Sequence, residues 1–270
     1  MIPEICRFPW KFSVTPFHIA GNLYYVGNSY VSSHLIDTEE GLILIDTTFP
    51  QTVYLLLESI WELGFDPRNI KYILHSHAHY DHCGGTKAIA TLSGAKTFLG
   101  REDIPFLTER PELTWLPEYG LEYGFIEPFH VDVPLSNGDT IQLGNTRIEC
   151  IATPGHTPGA MSYFFEISEG NKKYTVGMHG GPGLNTLTDA YLGKYNLSYK
   201  NRTMFVQALK ILKTKHVDIF IGIHPEQNDV IKKQKKITKE TNPLIDPTAW
   251  PTFLNELEDR VQKAWGSHLL

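Results

Sequence analysis

The chain has 270 residues, 41% of them hydrophobic, and a formal net charge of −6 at pH 7. This composition excludes a disordered chain, and the acidic balance argues against a nucleic-acid-binding surface. No apolar run reaches the ~18 residues of a membrane span, and the first residues lack the pattern of a signal peptide. We therefore expect a cytoplasmic protein without membrane or nucleic-acid partners. A secreted or periplasmic location stays open if a leader was trimmed, and the oligomeric state is unknown.

The predicted elements alternate between strands and helices. Apolar alternation bounded by turn residues predicts strands, and apolar residues spaced three to four apart predict helices. In chain order, the predicted strands are residues 22–27, 30–37, 42–46, 71–74, 95–99, 130–133, 140–143, 147–152, 161–167, 173–178 and 217–223. The predicted helices are residues 53–63, 86–92, 101–108, 202–213 and 253–264, and residues 110–128 are predicted to form a long surface loop.

This order of elements favours two halves, each with strands inside and helices outside. Two such halves would stack as an α/β fold of four layers, an αββα sandwich with two mixed sheets. The periodicity alone is equally compatible with a doubly wound α/β sheet. No repeat or linker divides the chain, so we expect residues 1–270 to form a single domain.

A dense cluster of histidines follows the predicted strand at residues 71–74. Residues 75–85 read HSHAHYDHCGG. Imidazole and carboxylate groups are ligands that Zn²⁺ accepts in proteins. In an extended segment, residues two apart point to the same side, so His77 and His79 can bind one ion together. Asp81 and His82 are adjacent and diverge, which favours a second ion nearby.

Two single histidines can complete such a site. His156 lies in the segment TPGHTPG after the predicted strand 147–152, and His224 lies in the segment GIHP at the end of the predicted strand 217–223. Sites in sheet proteins commonly gather at the C-terminal ends of strands. The predicted metal ligands are therefore His77, His79, His156, Asp81, His82 and His224.

These motifs resemble those of the metallo-β-lactamase superfamily, whose H-x-H-x-D-H motif matches residues 77–82 in full. The resemblance covers most of the chain and implies the αββα sandwich. Residues 74–79, 137–139, 155–159 and 182–183 are most similar to the third subclass of metallo-β-lactamases, subclass B3. That subclass implies two zinc ions per chain. One would be held by His77, His79 and His156, and the other by Asp81, His82 and His224.

The resemblance implies a zinc-dependent hydrolase in which a metal-bound hydroxide attacks a carbonyl of a small-molecule substrate. For this subclass the expected activity is β-lactam hydrolysis, a cause of antibiotic resistance, with Asp81 as the catalytic residue that ligates one metal and orients the nucleophile. A zinc hydrolase of another ester, lactone, thioester or phosphodiester would use the same ligands and stays an alternative. A non-catalytic zinc protein and a diiron redox protein are further alternatives, although His79 disfavours iron, which prefers a carboxylate there.

One departure from the wider superfamily bears on the substrate. Many hydrolytic members carry an aspartate that bridges both metals, but residues 174–181 contain no carboxylate, and Asp189 lies too far along to replace it. The missing bridge is expected of the third β-lactamase subclass. It argues against a site like that of glyoxalase II or a lactonase.

Substrate contacts follow less directly from the sequence. Aromatic residues at positions 80, 115, 119 and 191 can form an apolar wall. Many third-subclass enzymes hold the antibiotic's carboxylate with serines at positions that here correspond to Met178 and Gly180. We therefore expect modest β-lactam hydrolysis with weak carboxylate binding, unless His179 or a residue of the 110–128 loop replaces the contact. We also expect Gly180→Ser to lower KM for penicillins. The predicted substrate-binding residues are Tyr80, Trp115, Met178, His179, Gly180 and Tyr191.

Overall fold

The computed structural model describes residues 3–121 and 127–266. The strands of this part are β1 (Phe17–Ala20), β2 (Leu23–Tyr25), β3 (His34–Asp37), β4 (Leu42–Ile45), β5 (Ile70–Leu74), β6 (Lys96–Gly100), β7 (Val133–Leu135), β8 (Thr140–Leu143), β9 (Thr146–Ala152), β10 (Met161–Glu169), β11 (Lys172–Met178) and β12 (Ile219–Phe220). The α-helices are α1 (Glu4–Arg7), α2 (Val53–Glu62), α3 (Tyr80–Cys83), α4 (Thr86–Ser93), α5 (Asp189–Lys194), α6 (Lys200–Leu212), α7 (Val230–Gln234) and α8 (Ala249–Trp265). Short 3₁₀ helices are Pro9–Phe12, Pro50–Thr52, Pro67–Asn69, Arg101–Leu107, Pro111–Thr114, Asn185–Leu187 and Pro225–Gln227. None of these described helices is long and apolar enough to cross a membrane.

The strands form two mixed sheets. In the first sheet β1 to β7 follow one another in chain order, antiparallel from β1 to β4 and parallel from β4 to β7. The second sheet has the order β12-β11-β10-β9-β8, and only the pair β11–β12 is parallel. Parallel neighbours bring the ends of β4, β5 and β6 to one edge, where the chain leaves the sheet in loops.

Strand β4 illustrates how the layers arise. Ile43 and Ile45 point into the core between the two sheets, whereas Leu42 and Leu44 pack on the other face with residues of α2 and α4. A strand buried on both faces reads as a continuous apolar run, as the sequence predicted here. On the second sheet, α6 and α8 cover the outer face. The four layers confirm the predicted αββα sandwich.

Several element boundaries differ from the prediction. The strand predicted at residues 30–37 begins only at His34. The Asn28 side-chain oxygen accepts hydrogen bonds from the backbone N–H groups of Tyr30 (2.9 Å) and Val31 (2.8 Å), which turns the chain. The strand predicted at residues 130–133 lies instead at Val133–Leu135. Residues 122–126 of the predicted 110–128 loop lie outside the described residues.

Candidate metal centre

The six predicted ligands lie on loops that follow three strands. His77 and His79 follow β5, and Asp81 and His82 lie in the short helix α3 directly after them. The other two ligands come from the loops after β9 and β12. Their ligand atoms form two sets of three, and the atoms within a set lie within 4.8 Å of one another. We call His77, His79 and His156 the three-histidine group, and Asp81, His82 and His224 the aspartate group.

Backbone carbonyls orient the three-histidine group. The Nδ1–H of His77 donates to the Gly180 carbonyl oxygen (2.9 Å), and the Nδ1–H of His156 donates to the Gly183 carbonyl oxygen (2.9 Å). Both rings therefore keep Nε2 free as an electron-pair donor. Among the described residues, the buried Nε2 atoms of His77 and His79 have no hydrogen-bond partner. A buried polar atom without a partner is costly, and a bound metal ion would satisfy it.

The aspartate group converges in a similar way on one carboxylate oxygen. Oδ2 of Asp81 lies 3.4 Å from Nε2 of His82 and 3.6 Å from Nε2 of His224. The opposite ring nitrogens are held, because Nδ1 of His82 donates to Oδ2 of Asp46 (2.8 Å) and Nδ1 of His224 donates to the Tyr30 carbonyl oxygen (2.8 Å). Hydrogen bonds of this kind fix the orientation of a metal-binding imidazole and raise its basicity.

The electrostatics of the two groups differ. Burial, reinforced by the neighbouring imidazoles, lowers the pKa of His77 and His79 well below the usual value, and burial lowers the pKa of His156 to about 4. These rings are neutral at pH 7, the form that binds metals. Burial opposes charge on His82 as well, but the carboxylates of Asp81 and Asp46 outweigh it and raise its pKa.

The donor chemistry of both groups fits a divalent metal. Three neutral imidazoles form one set, and two imidazoles with a carboxylate form the other. Nitrogen and carboxylate donors of this kind suit zinc, and three protein ligands leave a coordination position open, as in catalytic rather than structural sites.

Asp46 contacts a ligand of the aspartate group, and the sequence analysis did not identify it. Its Oδ1 accepts a hydrogen bond from the backbone N–H of Ser76 (2.7 Å), and its Oδ2 accepts from the Ser76 hydroxyl (2.7 Å) as well as from His82. The residue holds a left-handed conformation with φ of 59°. Its place at the end of the predicted strand 42–46, like those of the ligands after their strands, is a signal that could have identified it.

A cavity of about 430 Å³ lies in front of both groups. Two aromatic residues of the segment after Pro111–Thr114 form part of its wall. The Trp115 ring lies 5.6 Å from the His79 ring. The Tyr119 hydroxyl lies beside the Asp81 carboxylate, and burial together with the charge of that carboxylate raises the pKa of Tyr119. The sequence analysis did not identify the polar part of the wall, which contains Asn185, Glu226, Gln227, Glu256 and Arg260.

The other aromatic residues predicted to touch substrate lie behind the cavity wall. Tyr191 stacks on Trp115 with 5.1 Å between ring centroids and supports it from behind. Tyr80 is buried, and its hydroxyl accepts a hydrogen bond from Nε2 of Gln51 (2.9 Å). Of the predicted aromatic substrate contacts, Trp115 and Tyr119 line the cavity.

The segment after β11 does not support the predicted carboxylate contacts. Met178 and His179 are 0% and 1% exposed, because β11 runs through the core and His179 packs beside Phe205. Gly180 holds His77 through its carbonyl rather than facing the cavity. A Cβ at Gly180 would lie 2.2 Å from the Met161 carbonyl oxygen, so Gly180→Ser would displace the backbone beside a ligand. Gly180→Ser should therefore disturb the three-histidine group rather than improve penicillin binding.

A family model matches just over half of the chain. Residues 26–169 match the model of the metallo-beta-lactamase superfamily. The chain is 30% identical over 139 residues to the uncharacterized protein YobT of Bacillus subtilis (strain 168), covering 49% of this chain and 56% of YobT. It is 27% identical over 168 residues to the N-acyl homoserine lactonase AiiA of Bacillus thuringiensis subsp. kurstaki, covering 53% and 60%. The chain thus matches less than two thirds of these relatives' lengths.

Solved structures match over almost the whole chain. The chain is 28% identical to BJP-1, a subclass B3 metallo-beta-lactamase of Bradyrhizobium japonicum, with a TM-score of 0.82 and 96% of both chains covered. It is 30% identical to the metallo-beta-lactamase FEZ-1 from Legionella gormanii, with a TM-score of 0.83 and coverage of 94% of this chain and 97% of FEZ-1. The fold and the third-subclass resemblance predicted from the sequence are confirmed.

Proposed function

We propose that this chain, which belongs to the metallo-β-lactamase superfamily, is a dinuclear zinc hydrolase that opens the cyclic amide of β-lactams. Membership of the superfamily indicates a hydrolase with metal-binding groups. The activity toward β-lactams is inferred from one observation. Two convergent ligand groups share a cavity in a chain that resembles subclass B3 enzymes along almost its full length.

In this proposal each ligand group holds one zinc ion. The three-histidine group holds the first and the aspartate group holds the second. Bound zinc lowers the pKa of water and polarises a carbonyl oxygen. The residues of the chain keep the imidazoles of the three-histidine group neutral, and they hold the ligands of both groups oriented and largely shielded from solvent. Asp81 takes the catalytic role, because its Oδ2 faces both imidazoles of its group and its carboxylate also contacts the Tyr119 hydroxyl.

The cavity residues orient a small-molecule substrate around these groups. Trp115 offers an apolar face beside His79, against which the ring of a substrate can pack. Arg260 offers a cation at the cavity wall that can attract a substrate carboxylate, although Glu226 and Glu256 of the same wall oppose it. This balance supports modest rather than tight binding of β-lactam carboxylates.

Lactone hydrolysis is the second candidate, because AiiA is among the relatives by sequence. By resemblance to the wider superfamily, a lactonase-like site is expected to contain a carboxylate that bridges its two metals. Among the described residues, the two ligand groups have no member in common. Asp189, the next acid along the chain after β11, pairs with Arg202 at 2.7 Å and is 79% exposed. This arrangement favours the β-lactam over the lactone.

A substrate panel tests the proposal. Zinc-loaded protein is assayed against a penicillin, a cephalosporin, a carbapenem, an N-acyl homoserine lactone, a thioester and a phosphodiester, with a chelated sample as control. We expect hydrolysis of at least one β-lactam, its loss on chelation without unfolding, and about two zinc ions per chain by elemental analysis. Hydrolysis of the lactone with none of the β-lactams would overturn the assignment in favour of the second candidate.

We further propose that residues 1–270 form one domain, since one hydrophobic core lies between the two sheets. Limited proteolysis that released two stable fragments would contradict this. The cytoplasmic location stays a prediction, which cell fractionation would test.

A further inference from the structure

We propose that Asp103 is a positioning residue that joins the two loops carrying the three-histidine group. The inference rests on the proposed metal-binding function. Asp103 lies in the 3₁₀ helix Arg101–Leu107 directly after β6, and it is 0% exposed. Nothing in the local sequence distinguishes Asp103 from the neighbouring acid Glu102 in the same short helix.

The Asp103 carboxylate accepts three hydrogen bonds from two separate loops. Oδ2 accepts from the backbone N–H of Ala78 (3.0 Å) and from the Thr157 hydroxyl (2.7 Å), and Oδ1 accepts from the backbone N–H of Gly159 (2.6 Å). Ala78 lies between His77 and His79, and Thr157 directly follows His156. One carboxylate therefore fixes the distance between the two histidines of one loop and the single histidine of the other.

The surrounding packing leaves these loops little freedom to move. A Cβ at Gly159 would lie 2.5 Å from the backbone nitrogen of Asp103, and a Cβ at Gly100 would lie 1.8 Å from the Gly159 carbonyl oxygen. The end of β6 and the His156 loop thus touch backbone to backbone. This close contact brings Gly159 within reach of the Asp103 carboxylate.

A different carboxylate, Asp46, holds the aspartate group, and its donors are not those of Asp103. Asp46 also reaches the three-histidine group through Ser76, whose hydroxyl lies 3.0 Å from Nδ1 of His77. Asp46 accepts from Ser76 and from His82, whereas the three donors to Asp103 belong to Ala78, Thr157 and Gly159. Loss of Asp103 should therefore weaken metal binding by the three-histidine group and spare the aspartate group. Removing an outer partner of this kind typically costs about 10–100-fold in metal affinity.

The charge and the shape of the Asp103 side chain can be separated by Asp103→Asn. An asparagine has one acceptor oxygen, and its amide nitrogen would meet a donor from one of the two loops. Burial without a paired cation raises the pKa of Asp103 to about 6, so the carboxylate is retained at pH 7. The substitution preserves the volume of the side chain while replacing one of its two acceptor oxygens with a donor.

The test measures metal affinity in the full chain without substrate. Variants are made in a His224→Ala background, which leaves the three-histidine group as the intact set. Metal-free protein is titrated with Co²⁺ against a competing chelator and followed by its visible absorption. We expect Asp103→Asn to weaken binding about 10–100-fold and to change the absorption spectrum, whereas Glu102→Gln, an exposed neighbour, should change neither.

A milder variant covers the case in which Asp103→Asn does not fold. Thr157→Val removes one of the three hydrogen bonds at nearly constant volume and should weaken Co²⁺ binding in the same direction by a smaller factor. Unchanged Co²⁺ affinity in either variant, with circular dichroism and melting like those of the parent, overturns the positioning role. Failure of the wild-type protein to hydrolyse β-lactams overturns the proposed function alone, because these affinities are measured without substrate.

Discussion

The two ligand groups differ in their exposure to solvent. The three ligands of the three-histidine group are at most 8% exposed, and carbonyl oxygens hold His77 and His156. In the aspartate group, the side chain of His224 is 23% exposed, and a single hydrogen bond, to the Tyr30 carbonyl, holds its ring. The difference teaches that the three-histidine group is closed to solvent, whereas the aspartate group combines a carboxylate ligand with an imidazole that solvent reaches. We therefore expect the second metal to exchange more readily.

The largest loss of activity is expected from a substitution in the three-histidine group. His77→Ala should remove the metal of the three-histidine group and lower kcat/KM on the order of a thousandfold, about 4 kcal/mol in activation free energy. Elemental analysis and steady-state kinetics measure the two changes. His130→Ala, at an exposed histidine outside both groups, serves as the control and should leave both values unchanged. If His77→Ala kept an activity within tenfold of wild type, activity would not depend on a metal in the three-histidine group.

Asp81→Asn tests the other group with a side chain of the same shape. It removes the negative charge beside His82 and His224, so the second metal should bind more weakly and the rate should fall about a hundredfold, roughly 2.7 kcal/mol. Zinc content should drop from two toward one per chain while the fold is kept. Retention of both metals and of a rate within tenfold of wild type would show that the proposed role of Asp81 is wrong.

A buried histidine outside both ligand groups, His34, should make the stability of the fold depend on pH. Burial lowers the pKa of His34, which lies outside both groups, to about 4. Its folded-state pKa lies below the unfolded value of about 6.5, so its contribution to stability is present above pH 6.5 and is lost as pH falls toward 4. At pH 5 the loss is about 2 kcal/mol.

Urea unfolding of the metal-free protein at pH 7.5 and pH 5 measures this effect. In the variant His34→Leu the unfolding free energy should fall less between the two pH values than in wild type. The histidines of the ligand groups titrate equally in both proteins, so the difference isolates His34. An identical pH dependence in the two proteins would contradict the buried, neutral state of His34.

The smallest effect concerns the aromatic wall, whose two residues each face a different ligand group. Trp115→Ala removes apolar surface beside His79 and should raise KM about fivefold, near 1 kcal/mol, with little change in kcat. Tyr119→Phe removes only the hydroxyl that contacts Asp81 and should act mainly on kcat. Trp61→Ala, at an exposed position on α2, is the control for tryptophan loss. Equal effects of the two variants on KM would contradict the separate roles of Trp115 in substrate binding and Tyr119 in the rate.

The ligands could be predicted from the sequence because their chemistry is locally dense. Residues 77–82 place three histidines and an aspartate in one short segment. His156 and His224 each lie shortly after a predicted apolar strand. The anchoring carboxylate of Asp103 could not be predicted in the same way. Asp103 takes its hydrogen bonds from residues 25, 54 and 56 positions away, and no local pattern encodes such a meeting.

The fold was predicted in outline for a related reason. Apolar runs such as β4 carry a strong signal, but β1 and α5 are short and were missed, and their formation depends on tertiary packing. The predicted contacts at Met178 and His179 failed to reach the cavity because similarity to a family gives a position along the chain without its depth in the core. The polar wall residues of α8 were missed because the path of a closing helix depends on the whole fold.

The position of α8 at the cavity places residues that can select the substrate on a different part of the chain from most of the metal ligands. The segment that matches the superfamily, residues 26–169, carries five of the six ligands. Phe253, Glu256 and Arg260 come from a helix beyond that segment, yet they face the same cavity. Substitutions on α8 can therefore alter substrate selection while the ligand loops stay as they are. The arrangement gives evolution, or a protein engineer, a wall that can be diversified independently of the hydrolytic centre.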